Sequence, residues 1–331
     1  MAGDSFDVLI SSAGRRVSLM QCWRRSLRAL GLRGRLLAGD MSSMASAGHL
    51  ADESFIVPRC TSDEFIPFML ELCRKEGIRV IVPTIDTELP VYAEHRLAFT
   101  KLGVTIPVSS PEAIKIGYDK VSTHRWLVQK GFPTVEQASA PSALSQGFSF
   151  PAIAKPVRGS SSIGVVRVEN SEELRQVSQG SDYVVQSIAP GHEYTVSTLV
   201  NREGQCVCAV PRRRLEVRHG EVSKGMTVRH EALENLASDI SEALPGAYGP
   251  MNVQIFMDDA SGEMNVIEIN ARFGGGYPLA FEAGAYYPKW LIEELLNLES
   301  TASRDSWQDR LVMLRYDDAV FVPEAELGSG R

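Results

Sequence analysis

Short apolar runs that alternate with amphipathic stretches limit what the first third of this chain can fold into. Asp7-Val8-Leu9-Ile10-Ser11, Leu36-Leu37-Ala38, Arg79-Val80-Ile81-Val82 and Val104-Thr105-Ile106 are too short for helices. Between them, Val17 to Leu30, Phe65 to Lys75 and Leu89 to Leu102 read as helices. Apolar strands spaced by helices require a parallel sheet covered on both faces. A doubly wound, Rossmann-like α/β domain is therefore expected over residues 1–112.

The pattern then changes. Asp119 to Gln129 is helical, and Pro133, Pro141 and Pro151 mark a loop-rich linker. Ala152 to Lys155 is a strand, followed by Pro156 and the loop Gly159-Ser160-Ser161-Ser162-Ile163-Gly164. With Val165 to Val168, the helix Glu172 to Val177 and the strand Tyr183 to Val185, this makes a small α+β unit over residues 113–188. Strands Glu193 to Val200, Cys206 to Val217, Met251 to Met257 and Asn265 to Asn270 dominate residues 189–300, covered by helices Leu233 to Leu244 and Pro288 to Asn297. A tail over 301–331 carries one strand-like run, Val312 to Arg315. At 331 residues the chain can bury a core in each unit.

Composition removes some function classes. Lys+Arg number 34 against 41 Asp+Glu, a net charge of -7, which argues against a nucleic-acid coat or a membrane-surface binder. No apolar run reaches the ~18–20 residues of a membrane span, and Met1 to Asp7 lacks the features of a signal peptide. Five cysteines without framework spacing suit reduced, packed thiols, and Cys206-x-Cys208 without a second ligand pair is a poor basis for zinc. A cytoplasmic enzyme is the expectation.

Asn252-x-Gln254 followed by Glu268-x-Asn270-x-Arg272 carries the most specific chemistry. Side chains alternate along strands, so each set shares a face. Asp258 to Glu263 is a turn cluster, so the two runs should form a hairpin. Pairing Asp258 with Met264 sets Gln254 opposite Glu268 and Asn252 opposite Asn270. Such oxygen donors suit Mg²⁺, and Arg272 beside them suits an anion. A second signal is Lys155 before the glycine-serine loop, whose backbone N–H groups can approach a polyphosphate. An ordinary hairpin turn has the same composition.

The run Arg212-Arg213-Arg214-Leu215-Glu216-Val217-Arg218, then Val222-Ser223-Lys224-Gly225, is a basic strand and loop. Alternation lets only half of its side chains face a cleft, so it is either an anion-binding wall or a solvated strand; Lys224 beside a glycine is the favoured inward cation. In the first domain, Ser11-Ser12-Ala13-Gly14-Arg15-Arg16 follows a strand where doubly wound sheets bind ligands, without a dinucleotide fingerprint. Arg15 or Arg16 could take a substrate carboxylate. Thr84, Asp86 and Glu88 could orient an amine, or Asp86 could cap a helix.

Lys120 on a helix, Lys155 before its loop, Gln186 to Ile188 closing a strand, Glu193 and the NxQ…ExNxR set occur in the order seen in ATP-grasp enzymes. From Val8 to about Leu298 the chain resembles a single synthetase module of the carbamoyl phosphate synthetase large subunit. The resemblance implies an ATP-grasp fold: a doubly wound pre-ATP-grasp domain, a small lid subdomain and a mixed-sheet C-terminal subdomain. It implies that Lys120 and Lys155 contact ATP phosphates under a loop including Ser160, Ser161, Ser162 and Gly164. Gln186, Ser187 and Ile188 would form the adenine hinge, and Glu193 would hold the ribose. Gln254, Glu268 and Asn270 would bind Mg²⁺ (or Mn²⁺), and Arg272 would stabilise acyl-phosphate oxygens. Ser187 stands where relatives often have Glu.

The resulting expectation is an ATP- and Mg²⁺-dependent ligase that joins a small-molecule carboxylate to an amine or ammonia through an acyl phosphate. Arg272 and Lys224 would be its catalytic cations. One alternative is carbamoyl phosphate synthetase-type chemistry on bicarbonate or carbamate. Another is a non-catalytic ATP-binding regulatory protein, which would predict loss of metal ligands. Neither nucleic acid nor membrane is an expected partner, and a homodimer is left open.

Overall fold

The structure, a computed structural model, describes residues 5–159, 163–180, 182–218 and 220–327. Its first unit runs β1 (Asp7–Ser11), α1 (Val17–Ala29), β2 (Leu36–Asp40), β3 (Glu53–Ile56), α2 (Phe65–Glu76), β4 (Ile78–Val82) and α3 (Leu89–Thr100). The strands form a parallel sheet in the order β3-β2-β1-β4. β1 is buried along its whole length, as a strand covered on both faces must be. Two details depart from the sequence pattern. The edge strand β3 carries mostly exposed side chains, so no apolar run announced it. Val104 to Ile106 is not a strand; only Thr105 forms an isolated bridge, to Val80.

Next come α4 (Pro111–Tyr118), α5 (Lys120–Lys130), β5 (Gln137–Ser139), α6 (Ala140–Gln146), β6 (Ala152–Pro156), β7 (Val166–Val168), α7 (Ser171–Val177) and β8 (Tyr183–Ser187). The four strands form an antiparallel sheet, β5-β8-β6-β7, over a small core of Ala140, Ala152, Ala154, Leu174 and Val185. The helices α4 and α5 pack elsewhere. Ala113, Ile114, Trp126 and Leu127 join Val253, Val266 and Ile269 in a different core.

The third unit runs β9 (His192–Val200), β10 (Cys206–Arg218), β11 (Glu221–Thr227), α8 (Glu231–Ala243), β12 (Gly249–Met257), β13 (Met264–Asn270), α9 (Tyr277–Ala283), α10 (Tyr287–Leu295) and β14 (Val312–Leu314). Its strands form one antiparallel sheet in the order β13-β12-β9-β10-β11-β14, so the tail adds the last edge. The first unit is fused to this sheet. Trp23 of α1 meets the Phe273 ring edge-on at 6.2 Å, and Val8, Ile10, Leu27, Tyr277, Tyr287 and Trp290 share that core. Each such buried side chain contributes roughly 1.5–3 kcal/mol. This packing holds the loops after β1 and β4 over the face of the large sheet. Among the described residues no helix is long and apolar enough to cross a membrane.

Candidate active site

The hairpin of β12 and β13 is the floor of the site. Gln254 lies opposite Glu268 and Asn252 opposite Asn270, the expected pairing, but the hairpin closes one residue earlier than expected. Met257, not Asp258, pairs with Met264, and a bulge at Ile267 restores the register beyond Gln254. A bulge inserts one unpaired residue and re-aims its neighbours. Without it, a one-residue slip would turn Glu268 to the other face.

Gln254 and Glu268 line two adjoining cavities. The larger, about 280 Å³, is walled by Lys120, Lys155, Gly159, Ile163, Gln186 to Ala189, Glu193 and Phe256. The smaller, about 90 Å³, is walled by Arg16, Arg212, Arg214, Glu221, Asn252, Asn270, Arg272 and Gly274 to Gly276. The side chains of Gln254, Glu268 and Asn270 make no hydrogen bond among the described residues, which leaves their oxygens free for a cation. A further cavity of about 890 Å³ lies apart, between α1, α9 and the tail, and contains none of these residues.

In the larger cavity, Lys155 is the penultimate residue of β6 and is buried; burial lowers its ammonium to about 8, against the pull of nearby Glu268. Lys120, the first residue of α5, donates from Nζ to Gly159 O at 3.1 Å, so it touches the glycine-serine loop. Ser160, Ser161 and Ser162 lie outside the described residues. Gly164 has φ +74° and packs against Pro156, a position suited to glycine. Gln186 and Ser187 end β8, and each is tied down. Gln186 donates to Gln137 Oε1 at 2.6 Å, and Ser187 N donates to Glu136 O at 3.1 Å. Ile188 follows, half exposed. Glu193 faces Arg214 at 3.2 Å, and burial raises its carboxyl despite that cation.

Residues 8–107 match the family described as PylC-like, N-terminal domain, and residues 118–276 match the ATP-grasp domain. The chain carries an ATP-grasp domain. It is 22% identical over 288 residues to the carbamoyl phosphate synthase large chain of Bifidobacterium animalis subsp. lactis, covering 79% of this chain and 25% of that relative. The chain thus spans about a quarter of that relative's length. A D-alanine–D-alanine ligase of Halorhodospira halophila is 31% identical over 158 residues, covering 45% of this chain and 47% of the ligase. Among solved structures, the biotin carboxylase domain dimer of Hydrogenobacter thermophilus 2-oxoglutarate carboxylase superposes with a TM-score of 0.72 at 16% identity. It covers 94% of this chain and 74% of its own, and was solved with MgADP, ADP and bicarbonate.

Two residues of the ATP-grasp domain are placed differently from what the sequence pattern suggested. Lys224 is not in a cleft loop but in β11, opposite Glu216, and it lines neither cavity. Its Nζ lies 2.5 Å from Glu216 Oε2. That hydrogen bond, with one from Ser223, holds the Glu216 carboxyl down at about 2. Arg212 and Arg214 take the inward positions instead. Arg272 does line the smaller cavity, but its fork is occupied: Nε donates to Asp86 Oδ1 at 2.7 Å and Nη2 to Oδ2 at 2.6 Å. Burial alone would lower this guanidinium, and the charge and hydrogen bonds of Asp86 raise it.

The first domain contributes through the loops after β1 and β4. Thr84 and Glu88 are fully buried and hold those loops together, so neither is open to an amine. Glu88 accepts from Ser11 Oγ at 2.6 Å, Ser12 Oγ at 2.9 Å, Thr84 N at 2.6 Å and Ile85 N at 3.1 Å. Burial nevertheless raises its carboxyl. This network presents Asp86 to Arg272 and Arg16 to Glu221, which also faces Arg15 and Arg315 at 3.1 Å each. Arg16, not Arg15, lines the cavity. Glu221 is a hub of three arginines that the sequence pattern left unmarked. Its only local signal was a carboxylate next to a basic strand.

Proposed function

We propose that the chain is an ATP- and Mg²⁺-dependent ligase joining a small-molecule carboxylate to an amine or ammonia through an acyl phosphate. One observation carries the reading. Gln254 and Glu268, with unengaged oxygens, stand at the junction of the cavity that holds Lys120 and Lys155 and the one that holds Arg16, Arg212 and Arg272. A phosphoryl group passing from a nucleotide to a small anion would cross at that junction.

In this reading Lys120 and Lys155 hold phosphate oxygens, and Gln186, Ser187, Ile188 and Glu193 line the nucleoside end. Gln254, Glu268 and Asn270 would hold Mg²⁺, which when bound neutralises phosphate charge. A substrate carboxylate oxygen attacks the γ-phosphorus, the bond to the β-phosphate oxygen breaks, and ADP leaves. The amine nitrogen then attacks the acyl carbon and gives up a proton as inorganic phosphate departs. The protein's work is positioning and charge stabilisation, with no covalent nucleophile required.

Carbamoyl phosphate synthetase-type chemistry on bicarbonate is the second reading, favoured by the match over 79% of this chain to a carbamoyl phosphate synthase large chain. A regulatory ATP binder without turnover has no supporting observation, because the oxygen donors are intact. A screen of paired acids and amines for ADP release tests these readings. Release that needs both partners supports the ligase, and release on bicarbonate alone supports the second reading. ATP binding without release across the panel rejects both.

A further inference from the structure

Among the described residues, Arg212 has no counter-ion. It points from β10 into the smaller cavity, is 3% exposed, and its Nη2 donates to Ser197 Oγ and Asn252 Oδ1, each at 3.0 Å. Its Nε and Nη1 make no hydrogen bond among the described residues, and Nε is fully buried. The other arginines in the same wall are committed: Arg16 to Glu221 at 3.3 Å, Arg214 to Glu193 at 3.2 Å and Arg272 to Asp86 at 2.6 Å. A buried guanidinium with unmade bonds and no carboxylate is unfavourable unless something anionic completes it.

The adjoining loop is cut to fit these side chains. A Cβ on Gly276 would lie 2.1 Å from Arg212 Nη1, and one on Gly275 would lie 2.7 Å from Arg16 Nη1. Gly275 and Gly276 therefore let two guanidinium groups approach one small space. At about 90 Å³, with Glu221 and Glu268 also in its wall, that space suits a compact monoanion better than a phosphate dianion.

We infer that Arg212 binds the carboxylate of the small acid substrate, in the cavity it forms with Arg16 and the Gly274–Gly276 loop. Arg272 is then a positioning residue that holds Asp86 across the two domains. The choice of a carboxylate rests on the ligase reading, whereas the anion site itself rests on Arg212. Asn252 bridges the two parts: it accepts from Arg212 and donates from Nδ2 to Arg272 O at 2.6 Å, which ties the anion pocket to the metal-type strand.

The test is saturation-transfer NMR on the full chain without ATP, with acetate as the probe and phosphate as competitor at matched ionic strength. Wild type is expected to bind acetate, and Arg212→Gln to bind it about tenfold or more weakly, as the loss of a charge-assisted bond implies. Asp86→Asn should keep acetate affinity within about threefold, because Asp86 acts on Arg272. Equal acetate binding by wild type and Arg212→Gln overturns the inference, as does no binding by wild type. Phosphate that binds tenfold more tightly than acetate overturns the carboxylate assignment.

Should Arg212→Gln lose its cooperative melt, Gly276→Ala decides the matter. Gly276 has φ -92°, which alanine adopts without strain, so the new methyl acts only by displacing neighbouring side chains. Undiminished acetate binding by Gly276→Ala overturns the inference. Kinetics separate this inference from the ligase reading. Arg212-dependent acetate binding with no ADP release on any acid–amine pair rejects the ligase and leaves the anion site standing. Acid-dependent ADP release with an unchanged KM for the acid in Arg212→Gln does the reverse.

Discussion

The two cavities that meet at Gln254 and Glu268 hold their positive charge in opposite ways. On the larger side, Lys120 and Lys155 form no ion pair among the described residues. On the smaller side, Arg16 and Arg272 each face a carboxylate within 3.3 Å, and Arg214, which lines both cavities, faces Glu193 of the larger one at 3.2 Å. Lysine is a point charge on a flexible stem, suited to a polyanion that brings its own geometry. Arginine is a planar fork, and forks fixed in advance shape a small pocket. The two lysines of the larger side thus keep their charge in reserve, whereas among the described residues Arg212 alone of the smaller cavity's arginines faces no carboxylate.

The junction gives the largest expected effect. Glu268→Ala should reduce ADP release by roughly 100- to 1,000-fold, on the scale of losing a group that stabilises transferring charge. Its thermal midpoint should stay near that of wild type. Retained turnover would separate the two cavities and end the account of the junction.

Lys155 sharpens the contrast, because its reserve charge has a cost. Burial puts its folded pKa at about 8, whereas an unfolded lysine titrates near ~10.4. The unfolded chain therefore binds more protons between those values, and stability rises with pH across that window. Below pH 8 the full penalty applies, on the order of 3 kcal/mol. Lys155→Met should melt higher than wild type at neutral pH, and the advantage should shrink as pH approaches 10. Its ATP affinity should fall about tenfold or more, and the decline of wild-type affinity above pH 8 should vanish. Calorimetry across pH measures both; a mutant less stable at pH 7 would contradict the assignment.

The smallest effect probes the arginine side. Asp86→Asn removes a half-shielded partner of Arg272 and should cost about 1–3 kcal/mol in denaturant unfolding. Combining it with Arg272→Gln should cost clearly less than the sum of the two single changes, since they remove one shared interaction. Additive losses would show that the pair does not couple the domains.

What the sequence made legible was local. The covered strands of the first sheet, the hairpin carrying Asn252, Gln254, Glu268 and Asn270, and Lys155 before its loop are all set by short-range pattern. Three things escaped. The strand Glu53–Ile56 lies at an edge, where few apolar side chains are needed. The bulge at Ile267 is invisible to alternation, because it keeps the right residues paired by adding one between them. The pairing of Asp86 with Arg272 spans 186 positions, and no local rule foretells which carboxylate fills a distant fork. For the same reason Lys224 looked like the inward cation and Arg212 like one of several. Only the register of β10 against β9 and β11 separates them.

In the proposed reaction phosphate passes to a carboxylate at the junction of the two cavities. This step is tested most directly by running the acid–amine pair that supports ADP release with oxygen-18 in the acid's carboxylate. One labelled oxygen is expected in the inorganic phosphate for each ADP formed. Turnover that leaves the phosphate unlabelled would contradict it.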